Sequence, residues 1–227
     1  MVQTRPVRLG FTQTGKMQFI SHLDLVRTMG RMIIRAGVPI WYTEGFNPKP
    51  KLVFAMNLSV GAESLCEFVD FKLEGDMSDA EVAERIAAQF PCGMAVNGVW
   101  TPEHKTQEIA YAGYTITLGS RKASAKLASD INSLLSGKLE IMKRTKSGGE
   151  KLVDISPMIR RAEADFKNGS IEINAMLSSG SNDYLNPEYV VKAISEKFGI
   201  DFDDAMTEYY TVLRTSVKLS DGVTDFR

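Results

Sequence analysis

Apolar positions along the first hundred residues switch repeatedly between strand-like alternation and helical spacing. Val7 to Gln13 alternates as a strand does, and the following "TGK" turns it. Ser21 with Asp24 three residues on is a capping pattern, Asp standing where Glu is usual. The helix it opens runs to about Ala36, where Gly37 and Pro39 stop it. Lys51 to Leu58 ("KLVFAMNL") and Cys66 to Leu73 ("CEFVDFKL") read as strands on either side of the turn "SVGAES". Ser78 caps a second helix through Phe90, ended by Pro91 and Gly93, and Met94 to Trp100 is a further strand. That order is β-α-β-β-α-β, the ferredoxin-like unit.

Thr101 to Ala112 is polar and irregular, a link. A second round follows: Tyr114 to Leu118 a strand, Arg121 to Leu135 a helix. Leu139 to Arg144 and Lys151 to Ile155 flank "TKSGGE", a hairpin signal. Ser170 to Leu177 is a strand, Pro187 to Phe198 a helix with Pro in its first turn, and Glu208 to Leu219 a last strand. With an extra hairpin strand the order repeats. The expected fold is α+β: two tandem ferredoxin-like (βαββαβ) domains with antiparallel sheets, residues 1–102 and 113–227, joined by a link over 103–112.

Between the first helix and its following strand stands "YTEGFNPKPK", residues 42–51, which fits neither a helix nor a central strand. Pro48 and Pro50 lack donors on one side of an extended chain, so the stretch reads as a stiff, extended approach to an edge strand. Its prolines also keep another chain from pairing there.

Composition adds little to this until charge is divided along the chain. A length of 227 residues, 44% hydrophobic and 24% charged, suits two domains of about 100 residues, each with its own core. The net charge of −1 hides an asymmetry. Residues 1–60 carry eight lysines and arginines against Asp24 and Glu44, a net +6 that leaves −7 for the rest. A basic end on a balanced chain points to an anionic partner. Cys66 and Cys92 lack metal-ligand spacing and sit in apolar stretches, so two buried thiols in a reducing compartment are expected. The start has no apolar leader and no run approaches a membrane span, so a cytoplasmic protein with no membrane partner is expected.

Candidate chemistry gathers in the basic part. On the first helix Leu25, Val26, Met29, Met32, Ile33 and Ala36 form one apolar face, and Arg27, Arg31 and Arg35 share the opposite side. Like charges four apart cost a few tenths of a kcal/mol per pair, so they suit either a solvated face or a ladder meeting phosphates. Lys16, Lys49 and Lys51 are expected nearby. Tyr42 and Phe46 would add stacking rings to those cations, the ingredients of a single-strand platform, with Asn47 holding the turn. Phe46 after Gly45 also reads as a plug packed under its own loop. His22, at the helix start, is either a structural histidine or a general base for cleavage through an RNA 2′-hydroxyl. The chain has no GxxxxGK[ST], GxGxxG or HExxH and no cysteine cluster, so no metal is expected. A weaker anion-binding candidate is the hairpin with Lys143, Arg144, Lys146 and Lys151.

Residues 19–64, about one fifth of the chain, resemble the signature of the radical SAM-linked bacterial family, domain of unknown function 2344. The matching positions are Ser21, His22, Leu23, Asp24, Arg27, Arg31, Arg35, Ala36, Tyr42, Gly45, Phe46, Asn47, Pro48 and Pro50. Lys49 stands where the family pattern favours His. The chain carries no CxxxCxxC, so the resemblance implies a separately encoded radical SAM companion, an RNA-modifying setting, and no cofactor held here. In outline the chain is also similar to CRISPR repeat-processing endonucleases. However, "KFGIDFDDAMTEYY" stands where those carry a glycine-rich loop. The function expected is a non-catalytic RNA-binding or substrate-presenting partner of a radical SAM enzyme. The alternatives are a metal-independent RNA endonuclease with His22 as base, and a domain docking an acidic protein.

Overall fold

The structure, a computed structural model, describes residues 3–144, 148–181, 183–202 and 208–227. It separates into two compact units, the chain through Thr106 together with Phe226–Arg227, and Gln107–Asp225. Both are mixed α/β with antiparallel strand pairing, and the described residues form four α-helices in all.

In the first unit β1 (Thr4–Gln13), α1 (His22–Arg35), β2 (Val53–Phe54), β3 (Ala62–Glu74), α2 (Asp79–Ala87) and β4 (Met94–Trp100) follow in order. The sheet runs β4-β1-β3, with β2 on the other side of β3. α1 starts where the sequence places it. The Ser21 hydroxyl accepts from the Asp24 N–H at 3.2 Å and donates to the Asp24 carboxylate at 2.8 Å. Leu25, Met29, Met32 and Ile33 pack on Val7, Leu9 and Phe11 of β1 and on Val69, Phe71 and Leu73 of β3. That core fixes which side of the sheet the helices occupy.

Arg8 and Gly10, alternating with those core residues, face the other way. Arg8 is 0% exposed. Its Nε and Nη2 each donate to Asp70 at 2.7 Å, Nη2 also donates to the His104 carbonyl at 2.9 Å, and the Phe226 ring lies 4.0 Å from the guanidinium carbon. A guanidinium taken out of water is tolerable only with such a bidentate carboxylate partner. Phe226 meets Phe68 edge-on at 5.2 Å, and the Trp100 ring covers the cross-strand pair Gly10 and Gly98.

Two expectations for this unit are corrected. The strand expected over Lys51–Leu58 survives only as Val53–Phe54, because the chain before it does not approach extended. It turns back on itself, Tyr42 bridging to Pro50, with the Thr43 N–H donating to the Lys49 carbonyl at 2.9 Å and the Lys49 N–H to the Thr43 hydroxyl at 3.1 Å. Of the two thiols expected buried, Cys92 is exposed and Cys66 only half-buried.

The second unit comprises β5 (Tyr111–Gly119), α3 (Ala125–Leu135), β6 (Glu140–Arg144), β7 (Glu150–Asp154), β8 (Ile159–Lys167), β9 (Ser170–Ser178), α4 (Glu188–Phe198) and β10 (Tyr209–Lys218). Its sheet runs β10-β5-β9-β8, and β6–β7 form a separate two-stranded hairpin. β5 already begins inside the expected link. The hairpin tip residues Thr145, Lys146 and Ser147 lie outside the described residues. β8 is an element the hydrophobic pattern misses, since Ala164 is its one fully buried residue. Its signal is instead the Asn168–Gly169 pair, both at positive φ (50° and 82°), which turns β8 into β9. In α4, Gly199 takes a left-handed φ of 59° and the Lys122 ammonium donates to the Phe198 carbonyl at 2.9 Å, satisfying the helix end.

Two glycines should respond oppositely to alanine. A Cβ on Gly98 would fall 2.5 Å from the Trp100 ring, whereas one on Gly30, inside α1, would meet only Leu52 at 3.8 Å. Gly98→Ala is expected to destabilise by about 1–3 kcal/mol through overpacking. Gly30→Ala is expected to stabilise by roughly 0.5–1 kcal/mol through helix propensity. Urea unfolding of the two variants beside the parent checks both signs.

The Tyr184 hydroxyl is pushed up to about 12, first by burial and then by the neighbouring Tyr114, against the opposing pull of Arg214. A folded value above the unfolded one, about 10, gives stability that is full below pH 10 and lost as pH rises through 12. Tyrosinate absorbance should therefore show a late-ionising group that disappears in Tyr184→Phe.

Candidate nucleic-acid interface

Of the eight cations in the first sixty residues, two are already engaged inside the fold. Arg8 is buried on Asp70, and Arg5 pairs with Asp79 at 2.7 Å. The surface excess rests on Lys16, Arg27, Arg31, Arg35, Lys49 and Lys51, all exposed.

The arginines occupy the outer side of α1, spread over about 12 Å of helix at 1.5 Å per residue. Arg27 pairs with Asp24 at 3.2 Å across open surface, where water and salt screen the attraction. The Ser21 hydroxyl, and then Arg27, hold the Asp24 carboxyl below the usual carboxylate range. Arg31 and Arg35 form no ion pair among the described residues. Lys16 lies before the helix in the 3-10 turn Gly15–Phe19, where the Gly15 N–H donates to Glu63 at 2.6 Å.

The loop that follows α1 is anchored against it. Leu52 packs at Gly30, and the Phe54 ring meets His22 edge-on at 5.4 Å. His22 is half-buried in that contact and makes no hydrogen bond among the described residues. At the far end of the loop Phe46, beside Gly45 with φ of 129°, is fully exposed. The plug reading of Phe46 is thereby corrected: the ring touches no core. Tyr42, Asn47 and Lys49 are exposed along the same loop, which its neck bonds close.

Strand alternation divides the remaining cations. Val69, Phe71 and Leu73 face α1, so Asp70 and Lys72 face away. Ile40 bridges to Leu73 and is buried with it, which turns Trp41 to the Lys72 side. There the Lys72 ammonium lies 5.3 Å and the Lys51 ammonium 5.9 Å from the centre of the Trp41 ring. The candidate residues thus form no single patch. Arg27, Arg31 and Arg35 lie on the helix side of the sheet, Lys51 on the reverse, and the Phe46 loop at the edge between them. Trp41 and Lys72 belong to this constellation and were missed, because their side of the sheet becomes countable only once Ile40 is paired with Leu73.

In the second unit, the Lys143 ammonium of the basic hairpin lies over the Tyr189 ring of α4 at 5.3 Å, and Lys151 is exposed. Among the described residues no group of three or more His, Cys, Asp or Glu is placed to hold a metal ion, and no helix is long and apolar enough to cross a membrane.

No curated protein matches the chain. A solved structure similar to it is that of an unknown protein from Galdieria sulphuraria, at 9% identity and a TM-score of 0.27, covering 93% of this chain and 99% of that one. The family model described as an uncharacterized protein conserved in bacteria (DUF2344) matches residues 6–187. That stretch holds α1, the Phe46 loop and most of the second unit, and the chain belongs to this bacterial family.

Proposed function

We propose that this protein binds RNA through the outer side of α1, and that it serves a separately encoded radical SAM enzyme as a non-catalytic partner that presents the RNA. The observation that carries the RNA reading is the unneutralised arginine row. Three guanidiniums at four-residue spacing repel one another, Arg27 alone of them has an acidic partner among the described residues, and an anionic backbone would relieve that repulsion. The radical SAM connection rests on the motif over residues 19–64. The strand orders β4-β1-β3-β2 and β10-β5-β9-β8 support reading both units as ferredoxin-like, the second with the β6–β7 hairpin inserted after α3. His22, packed on Phe54, serves the fold in this reading.

Labelled tRNA and ribosomal RNA fragments titrated across a salt series test it. Binding should weaken with salt, and the Arg27/Arg31/Arg35→Ala variant should show a slope shallower by about 2, near 0.7 for each phosphate of a single strand that is no longer neutralised. If neither protein binds at low salt, the RNA reading is wrong, and capture of a radical SAM protein by the parent but not the variant would place an acidic protein surface on the arginines.

The same RNAs are expected to stay intact on a gel after prolonged incubation with the parent protein. Cleavage that His22→Ala abolishes, with binding retained, would make the protein a nuclease instead.

A further inference from the structure

We infer that the ligand of this surface is unpaired RNA whose strand crosses the sheet edge, with a base stacked on Phe46 at the crossing. The inference rests on the RNA reading above and adds the class of RNA and the path it takes.

Three observations carry it. First, the cations lie on two sides of one edge: Arg27, Arg31 and Arg35 beyond α1, Lys51 and Lys72 beside Trp41 on the reverse of the sheet. A strand neutralised by both sets has to turn sharply over the loop between them. A single strand bends that way easily, whereas a duplex is stiff over many base pairs. Second, the ring at the turning point is wholly in water, yet its loop is held. The Thr43–Lys49 pair of hydrogen bonds and the Tyr42–Pro50 bridge close the neck, and Pro48 and Pro50 fix their own φ. An aromatic ring presented on a pre-ordered loop stacks a base at little ordering cost. A paired base already has both faces covered by its neighbours, so the ring selects an unpaired one. Third, the cations outnumber the acids along this path. Asp24 is paired with Arg27, Glu44 is the acid within residues 42–51, and of Asp70 and Glu74, which face the same way as Lys72, Asp70 is committed to Arg8.

A Phe tip with lysines also resembles an anchor for an anionic lipid surface. A membrane, however, presents a plane to the tip, and the arginines and the Trp41 lysines face away from each other across the sheet. A chain that wraps satisfies both sets, and a flat surface reaches only one.

The full-length protein is titrated with a fluorescein-labelled 12-nucleotide single strand and with the same sequence closed into a duplex hairpin. The single strand is expected to bind at least about tenfold more tightly. Phe46→Ala should lose about tenfold on the single strand and little on the duplex, and Lys51→Ala/Lys72→Ala should flatten the salt slope on the single strand alone. Trp41→Phe should remove a ligand-induced change in tryptophan emission. Phe46 packs on nothing, so an unchanged melting curve for Phe46→Ala confirms that any weakening comes from the missing ring and not from unfolding.

Equal affinity for both RNAs, with Phe46→Ala unaffected, overturns this inference and leaves the arginine helix as a general phosphate site. No binding of either RNA overturns both readings. If vesicles of anionic phospholipid then bind the parent and not Phe46→Ala, the loop is a lipid anchor.

Discussion

The edge of β3 opposite β1 has to be hydrogen-bonded, and the way the chain does this fixes the geometry of everything beside it. A buried strand cannot leave its N–H and C=O groups without partners. Here they are met in pieces. The Pro39 carbonyl accepts from Glu74, the Trp41 N–H donates to Lys72, β2 covers Val69 and Asp70, and the Ala55 N–H reaches Phe68. A single long strand would have left no slack. With two short contacts doing its work, the residues from Tyr42 to Lys51 leave the sheet, and a proline-closed loop stands out from an edge that is otherwise sealed against another chain.

The same arrangement separates what the sequence places side by side. Lys49 and Lys51 follow the arginine helix by a dozen or so residues, but the loop returns to the sheet with Leu52 and Phe54 inward, so Lys51 emerges on the far side. Chain proximity there is a poor guide to surface proximity. The reverse side also absorbs charge: Arg8 counts towards the basic excess in any tally by composition, yet as a buried pair with Asp70 it offers nothing to a ligand.

How far the fold could be read from the chain alone varied with the kind of signal. α1 was legible in detail, because its Ser21 cap and its apolar spacing agree with each other and with the core it meets. The same holds for α2, whose Ser78 hydroxyl accepts from the Glu81 N–H. β8 was not, since "IRRAEADFK" buries small side chains and carries its information in the turn after it. β2 was over-read because "KLVFAMNL" has strand-forming residues, while the backbone bonds that decide its length belong to β3. For the interface, the exposed arginines followed from a helical wheel. The pairing of Trp41 with Lys72, and the exposure of Phe46, depended on contacts distant in sequence.

Phe226 closes over Arg8 in a unit whose other residues, Arg227 apart, end at Thr106. On the ribosome this imposes an order of events. The first unit's sheet and helices are complete once the early residues have emerged, but its aromatic lid arrives about 120 residues later, on the order of ten seconds at about 5–20 residues per second. During that interval the Arg8 guanidinium and the Phe68 ring lack the cover that Phe226 gives them. The nascent first unit therefore passes through a stage in which Arg8 and Phe68 lack their aromatic partner, which arrives only when the second unit has been synthesised.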